Sequence, residues 1–166
     1  MAVTLHTSLG DLRAELFCSQ APLSCRNFLA LAASGYYNAS IFHRNLKDFM
    51  IQGGDPTGEG KGGLNYKGEY QADEIVSELK HDHRGVLSFS TLGKPDTVGS
   101  QFFITYSSQS HLDGVYSVFG KLVGNFEILS KMEAVPVGKK SRPVDEIRLE
   151  RISIQFNPIA EADNPN

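Results

Sequence analysis

Apolar and polar residues alternate in short runs along most of the chain, which is the periodicity of β-strands that bury one face. Residues 3–7 and 12–16 both alternate, and turn-forming residues stand between them, so the sequence predicts a hairpin near the start. The inward positions of this hairpin are predicted to be Val3, Leu5, Thr7, Leu12, Ala14 and Leu16. Similar runs at 86–89, 101–106 and 117–122 predict three further strands.

Two segments have the periodicity of a helix. The first covers about residues 22–34, where Pro22 suits the first turn and Gly35 suits the end. The second covers residues 125–133. Helices this few and this far apart favour an antiparallel barrel or sandwich, because parallel strands need crossover connections that are usually helical.

Three stretches depart from this regular pattern. Between residues 147 and 156 the phase of alternation changes, which predicts a β-bulge near Glu150 and Arg151. Residues 55–84 show neither periodicity, and we expect them to border a site because a loop this long in a compact domain is usually functional. Residues 158–166 have little to bury and are predicted to form a disordered tail.

Length and composition fit one domain, expected over residues 1–157, since 40% of the 166 residues are hydrophobic. The net charge of −3 gives no broad cationic face, so nucleic acid is not an expected partner. Cys18 and Cys25 form neither a disulfide framework nor a CxxC site, which favours a reducing compartment. With no signal-like start and no membrane-spanning run, we expect a nuclear or cytoplasmic protein that is not secreted and not membrane-bound.

Several familiar site motifs are incomplete. In the glycine-rich residues 53–63, Asp55 stands where a phosphate-binding loop needs Gly, and Lys61 is not followed by Ser or Thr. No strand and helix flank these glycines as a dinucleotide site requires. The run at 81–83, His-Asp-His, lacks a third metal ligand nearby, and no GxSxG motif or catalytic triad is evident. No metal or cofactor is therefore implied, and the basic run at 139–142 is interpreted as a solvated loop.

A more informative run is residues 42–55, in which Arg44 is followed closely by Phe49, Met50 and Gln52. A cation and an amide among large apolar side chains typically line a pocket. Taken alone, the run would also fit a surface arginine beside ordinary core residues. It is not alone, because other motifs recur in the same chain.

The other motifs are Gly-Ser-Gln-Phe-Phe-Ile at 99–104, His-Leu-Asp-Gly at 111–114 and Val-Phe-Gly-Lys at 118–121. In order and spacing, these runs together resemble the cyclophilins, over about residues 1–157. The runs at 27–31, 79–81 and 111–113 are most similar to the cyclophilin-like protein 3 subgroup, also called cyclophilin J.

This resemblance implies a mainly β fold, an eight-stranded antiparallel closed barrel capped by two helices. It implies a peptidyl-prolyl cis/trans isomerase, or rotamase, that assists the folding or remodelling of proteins, with Arg44 as the catalytic residue. The substrate-binding residues that it implies are Phe49, Met50, Gln52, Ser90, Thr91, Gln101, Phe103, His111, Leu112 and Tyr116.

The sequence also departs from the family pattern. The segment 90–101 has one residue more than is usual in the family. We therefore expect the backbone that contacts a bound peptide to have a different shape. His111 and Tyr116 replace the usual Trp and His, and the loss of the indole donor argues against ordinary cyclosporin affinity. The expected partners are proline-containing peptides and proteins, with spliceosomal proteins implied by the subgroup, and we expect a monomer. A proline-peptide binding module, or a spliceosomal scaffold with weak turnover in mRNA splicing, stays open as an alternative.

Overall fold

The computed structural model describes residues 1–155. The predicted tail at 158–166 and the end of the predicted domain lie outside the described residues. The strands are β1 (Ala2–Thr7), β2 (Gly10–Leu16), β3 (Ser40–Ile41), β4 (Arg44–Leu46), β5 (Met50–Gly53), β6 (Val86–Phe89), β7 (Phe102–Thr105), β8 (Val118–Gly124) and β9 (Arg148–Gln155). The α-helices are α1 (Pro22–Ala33) and α2 (Phe126–Glu133), and short 3₁₀ helices occur at Ser110–Leu112 and Lys139–Ser141.

The strands form one antiparallel sheet in the order β3-β9-β1-β2-β8-β6-β7-β5-β4. The two outer strands of this order, β3 and β4, are neighbours in the chain with only Phe42 and His43 between them. The chain itself therefore joins the two edges, and the sheet curls into a barrel. Counted as one strand bent at Phe42 and His43, β3 and β4 reduce the nine strands to the eight that were expected.

The predicted hairpin and bulge are confirmed. Strands β1 and β2 pair in register from Ala2 opposite Glu15 to Thr7 opposite Gly10. On the other side of β1, His6 pairs with Arg151 whereas Thr7 pairs with Leu149, so Glu150 is the extra residue of a bulge in β9. The phase change in the sequence therefore marks the bend that the barrel needs.

Helix α1 has the predicted start and end. Pro22 occupies the first helical turn, and Gly35 adopts a positive φ of 77° just beyond the last turn. The amide of Gly35 bonds to the carbonyl of Ala32, and that of Tyr36 bonds to Leu31, which is the pairing of a Schellman cap. Glycine suits this position because it has no Cβ to clash at positive φ.

One large apolar core fills the barrel, and α1 packs against it. Phe28 of α1 is completely buried, and its ring centroid lies 5.1–5.5 Å from those of Tyr37, Phe102 and Phe119. The side-chain amide of Asn27 donates to the carbonyl of Gly99 at 2.9 Å and accepts the N–H of Tyr66 at 2.9 Å. Helix α1 thus also anchors two loops that approach the predicted site.

Residues 55–84 form the long irregular excursion that the sequence predicted, with one isolated bridge between Gln71 and Val98. The basic run at 139–142 lies at the surface, where three of its residues are exposed. Neither helix in the described part of the chain has the length and apolar character that crossing a bilayer requires.

Candidate active site

A small cavity opens where β4, β5 and β7 meet the 3₁₀ helix Ser110–Leu112. Its volume is about 60 Å³, which suits a single small ring better than a drug-sized ligand. The residues that line it are Arg44, Phe49, Met50, Gln52, Ser90, Phe103, Leu112 and Tyr116. The structure therefore brings eight of the eleven predicted site residues to one cavity.

The hairpin of β4 and β5 places the cation and the amide side by side. Arg44 pairs directly with Gln52 across the two antiparallel strands, so both side chains project from the same face. Nη1 of Arg44 lies 3.5 Å from Oε1 of Gln52, a long hydrogen bond. Arg44 is exposed whereas Gln52 is buried, so the guanidinium stands at the mouth of the cavity with the amide below it.

The buried amide of Gln52 has the partners that a buried polar group needs. Its Nε2 donates to Oε1 of Gln101 at 2.8 Å and to Oγ of Ser90 at 3.1 Å. Gln101 in turn donates through Nε2 to the carbonyl of Gly62 at 2.9 Å. Gln101 thus lies behind the lining and fixes the orientation of Gln52.

The apolar walls are separate from the main core. Met50, Phe103 and Leu112 form their own buried cluster, against which Leu46, Phe49 and Tyr116 pack. The ring of Tyr116 meets that of Phe103 edge to face, with centroids 5.6 Å apart. These side chains are therefore not ordinary barrel core, which was the alternative explanation of the pattern.

Thr91 and His111 do not line the cavity. The hydroxyl of Thr91 accepts the N–H of Gly93 at 3.1 Å, so it serves the reshaped turn after Ser90. His111 lies outside Phe49, with ring centroids 5.7 Å apart. An imidazole therefore covers the outer side of this wall in place of the usual indole.

The segment with the extra residue is an ordered turn. The hydroxyl of Thr97 accepts the N–H of Leu92 at 3.0 Å and donates to the carbonyl of Lys94 at 2.8 Å. Gly93 and Asp96 adopt positive φ, which lets the chain accommodate the additional residue.

The glycine-rich loop is organised by Asp55, whose role the sequence analysis missed. Its buried carboxylate accepts the N–H groups of Thr57, Gly60 and Gly62 at 2.6–3.1 Å. Burial alone would raise the pKa of Asp55, but these N–H donors outweigh it and hold the pKa below its usual value. The loop is thus folded around an internal anion and presents the carbonyl of Gly62 to Gln101.

A second buried network lies behind Phe103. Nε2 of His81 is 3.0 Å from Oγ of Ser88, and Nδ1 is 2.9 Å from Oδ1 of Asp113. Ser88, His81 and Asp113 thus form a hydrogen-bonded row that the sequence alone did not indicate. These three residues cannot act on a substrate, because both Ser88 and the His81 side chain are completely buried.

No metal centre emerges from the His-Asp-His run. His81 points into the interior, whereas His83 bonds to its neighbour Asp82 at the surface. Within residues 1–155, no three His, Cys, Asp or Glu side chains stand close enough to hold a metal ion.

Comparison with known proteins agrees with this site and fold. Residues 2–154 match the family model described as cyclophilin type peptidyl-prolyl cis-trans isomerase/CLD. The chain therefore belongs to the cyclophilin-type peptidyl-prolyl cis-trans isomerase family. It is an enzyme that accelerates rotation about X-Pro peptide bonds in proteins.

Individual relatives support the subgroup that the sequence motifs indicated. Peptidyl-prolyl cis-trans isomerase CYP18-1 of Arabidopsis thaliana is 56% identical over 160 residues, covering 96% of this chain and 99% of that protein. Peptidyl-prolyl cis-trans isomerase-like 3 of Homo sapiens is 51% identical over 162 residues, covering 97% and 100%. A crystal structure of a Cryptosporidium parvum cyclophilin type isomerase in the presence of the dipeptide Ala-Pro superposes with a TM-score of 0.92 at 55% identity, covering 95% and 100%.

Proposed function

We propose that Arg44 is the catalytic residue of this isomerase and that the cavity beside it holds the proline ring of the substrate. The observation that carries the proposal is the pairing of Arg44 with Gln52 at the mouth of a small apolar cavity. The walls that would contact the ring are Phe49, Met50, Phe103 and Leu112.

The X-Pro bond resists rotation because the prolyl nitrogen donates its lone pair into the carbonyl, which creates a barrier of about 18–20 kcal/mol. A guanidinium directed at that nitrogen can donate a hydrogen bond to the lone pair as conjugation is lost. This interaction is available chiefly in the twisted state, so it lowers the barrier instead of merely tightening binding. Arginine suits the role because it stays protonated at any physiological pH.

The other polar groups of the site have roles that do not require proton transfer. Gln52 would hydrogen-bond the substrate backbone through its oxygen while Gln101 and Ser90 hold its nitrogen. A five-decade acceleration needs about 7 kcal/mol of differential stabilisation. One charged donor, an oriented amide and an apolar cavity together fall within the range of such preorganised effects.

Substitution of the arginine tests this mechanism. We expect Arg44→Ala to slow cis/trans exchange of an Ala-Pro peptide by about a hundredfold or more, measured by NMR exchange spectroscopy. Arg44→Lys should recover only part of the rate, since a single ammonium cannot reproduce the planar fork. Arg26→Ala, on the exposed face of α1, is the matched control and should exchange at the parental rate. An Arg44→Ala variant as fast as the parent would overturn the proposal.

The partners and location proposed for the chain follow from its similarity to the isomerase-like 3 proteins. The substrates would be proline-containing segments of proteins, including components of splicing complexes, met by a monomer in the nucleus or cytoplasm. Affinity capture from nuclear extract, with and without excess Ala-Pro peptide, tests this partner class. Capture of splicing proteins that the peptide displaces would support it, and a capture lacking them would contradict it.

A further inference from the structure

His81 joins three parts of the site from behind. Its side chain is completely buried, and its ring lies nearly parallel to that of Phe103, with centroids 5.8 Å apart and an interplanar angle of 15°. One ring nitrogen contacts Ser88 on β6 and the other contacts Asp113, immediately after Leu112. Phe103 therefore packs against the stacked His81 ring and, edge to face, against Tyr116.

The backbone of His81 strengthens the same connection. Its N–H donates to Oδ1 of Asp113 at 2.7 Å, and its carbonyl accepts the N–H of Gln109 at 2.7 Å. Gln109 and Asp113 directly flank the 3₁₀ helix Ser110–Leu112. This turn, which carries Leu112 to the cavity wall, is thus tied to His81 at both of its ends.

The hydrogen bonds determine which ring nitrogen of His81 carries the proton. The carboxylate of Asp113 can only accept, so Nδ1 must be the N–H donor to it. Nε2 of the neutral ring is then an acceptor, and the hydroxyl of Ser88 donates to it. This is one defined tautomer, fixed by its neighbours on both sides.

The surroundings favour the neutral ring. Burial lowers the pKa of His81, and the charge of Asp113 opposes this effect without cancelling it. His111 lowers the pKa of His81 and Asp82 raises it, while Lys80 lowers the pKa of Asp113. The pKa of Asp113 is lowered because the N–H groups of His81 outweigh the effect of burial, which keeps the acceptor ionised.

We propose that His81, as the neutral Nδ1–H tautomer, is a positioning residue of the isomerase. It sets the orientation of the Phe103 ring and the position of Leu112 in the cavity wall. This role rests on the proposed function, in which these two side chains bind the proline ring. Protonation at Nε2 would turn that atom into a donor to Ser88 and force the serine hydroxyl to find another acceptor. The cavity wall formed by Phe103 and Leu112 would then shift, so isomerisation should slow in acid as His81 becomes charged.

The pH dependence of exchange tests this role. Proline-peptide exchange is measured by NMR between about pH 5 and 8, in a His111→Gln background that removes the imidazole beside Phe49. We expect the rate of this parent to fall in acid with a midpoint below 6.5. His81→Gln should be about tenfold slower at mildly alkaline pH and should lose the acid dependence. His83→Gln, which changes the half-exposed histidine two positions away, should keep both the rate and the dependence.

A second variant distinguishes positioning from a general structural role. Asp113→Asn keeps an acceptor for both N–H groups of His81 but removes the charge that favours the imidazolium. We therefore expect the acid midpoint to move to lower pH, which loss of packing would not produce. Ring-nitrogen NMR of the parent gives a direct reading even if His81→Gln fails to fold, since it reports the tautomer and its titration.

The outcomes separate the two proposals. If His81→Gln keeps the parental rate and acid dependence while Arg44→Ala is slow, the positioning role is wrong and the proposed function stands. A neutral-pH spectrum with the proton on Nε2 would also overturn the positioning role. If Arg44→Ala is as fast as the parent, the proposed mechanism itself is wrong.

Discussion

Nε2 of Gln52 donates to Oε1 of Gln101 at 2.8 Å and thereby ties the cavity lining to a residue behind it. Gln52 belongs to β5, whereas Gln101 precedes β7 and reaches on to the carbonyl of Gly62 in the glycine-rich loop. Because its nitrogen is engaged in this way, the oxygen of Gln52 is left to face Arg44. This hydrogen bond accounts for the burial of the Gln52 amide beside apolar side chains.

We expect Gln52→Ala to slow proline-peptide exchange by about tenfold or more, because it removes the partner that orients Arg44 and leaves Gln101 with an unpaired acceptor. NMR exchange spectroscopy provides the measurement. Gln20→Ala, at an exposed position, is the control and should match the parent. Equal rates for Gln52→Ala and the parent would show that the amide does not orient Arg44 for isomerisation.

Replacing Asp55 by Asn should destabilise the protein by about 1–3 kcal/mol at neutral pH, since an amide nitrogen would then face N–H donors of the glycine-rich loop. The pKa of Asp55 is lowered on folding, so its ionised form contributes stability above the unfolded value of 3.8. That contribution is lost as pH falls through the lower folded pKa, and the variant should then approach the parent.

Urea unfolding at neutral and acid pH provides this measurement, with Asp145→Asn at an exposed position as the control. A difference between parent and Asp55→Asn that stays constant down to strongly acid pH would contradict an ionised carboxylate at the centre of the loop.

Phe28→Ala should reduce the free energy of unfolding by about 3–5 kcal/mol, because it leaves a cavity among three other aromatic rings of the core. Chemical denaturation measures the loss. Phe126→Ala, at a position that is 38% exposed, should cost about 1 kcal/mol or less. Similar losses for the two variants would mean that the ring cluster is not the centre of the core.

Cyclosporin should bind weakly to the parent and more tightly to His111→Trp, which restores an indole donor beside Phe49. Calorimetry gives both affinities, and the emission of the new side chain gives an independent reading because the chain contains no other tryptophan. Arg13→Trp, at an exposed position in β2, is the control. Unchanged affinity in His111→Trp would show that another feature, such as the reshaped turn after Ser90, governs binding.

Local patterns in the sequence were sufficient for most elements of the fold. The helix from Pro22, its glycine cap and the bulge at Glu150 each follow from residues close together in the chain. The resemblance to the cyclophilins identified all eight residues that line the cavity. Of the other three predicted residues, Gln101 lies behind the lining, Thr91 on the adjoining turn and His111 on the outer side of Phe49.

The buried networks could not be predicted in this way. His81 and Asp113 are 32 positions apart, and their contact depends on how a loop returns across the barrel. The three amides around Asp55 are local, but nothing in a glycine-rich stretch reveals that a carboxylate will be enclosed by it. Both networks satisfy buried polar groups, and which partners do so is a property of packing.

The amino-acid order alone determined most of the strands, the two helices, the family and the arginine beside apolar residues, because periodicity and short motifs act over a few positions. Only the tertiary structure decided that β3 and β4 close the sheet, that Gln52 is held by Gln101, and that His81 lies behind Phe103. These relations depend on burial and on contacts between distant residues, which arise when the sheet curls and water is excluded.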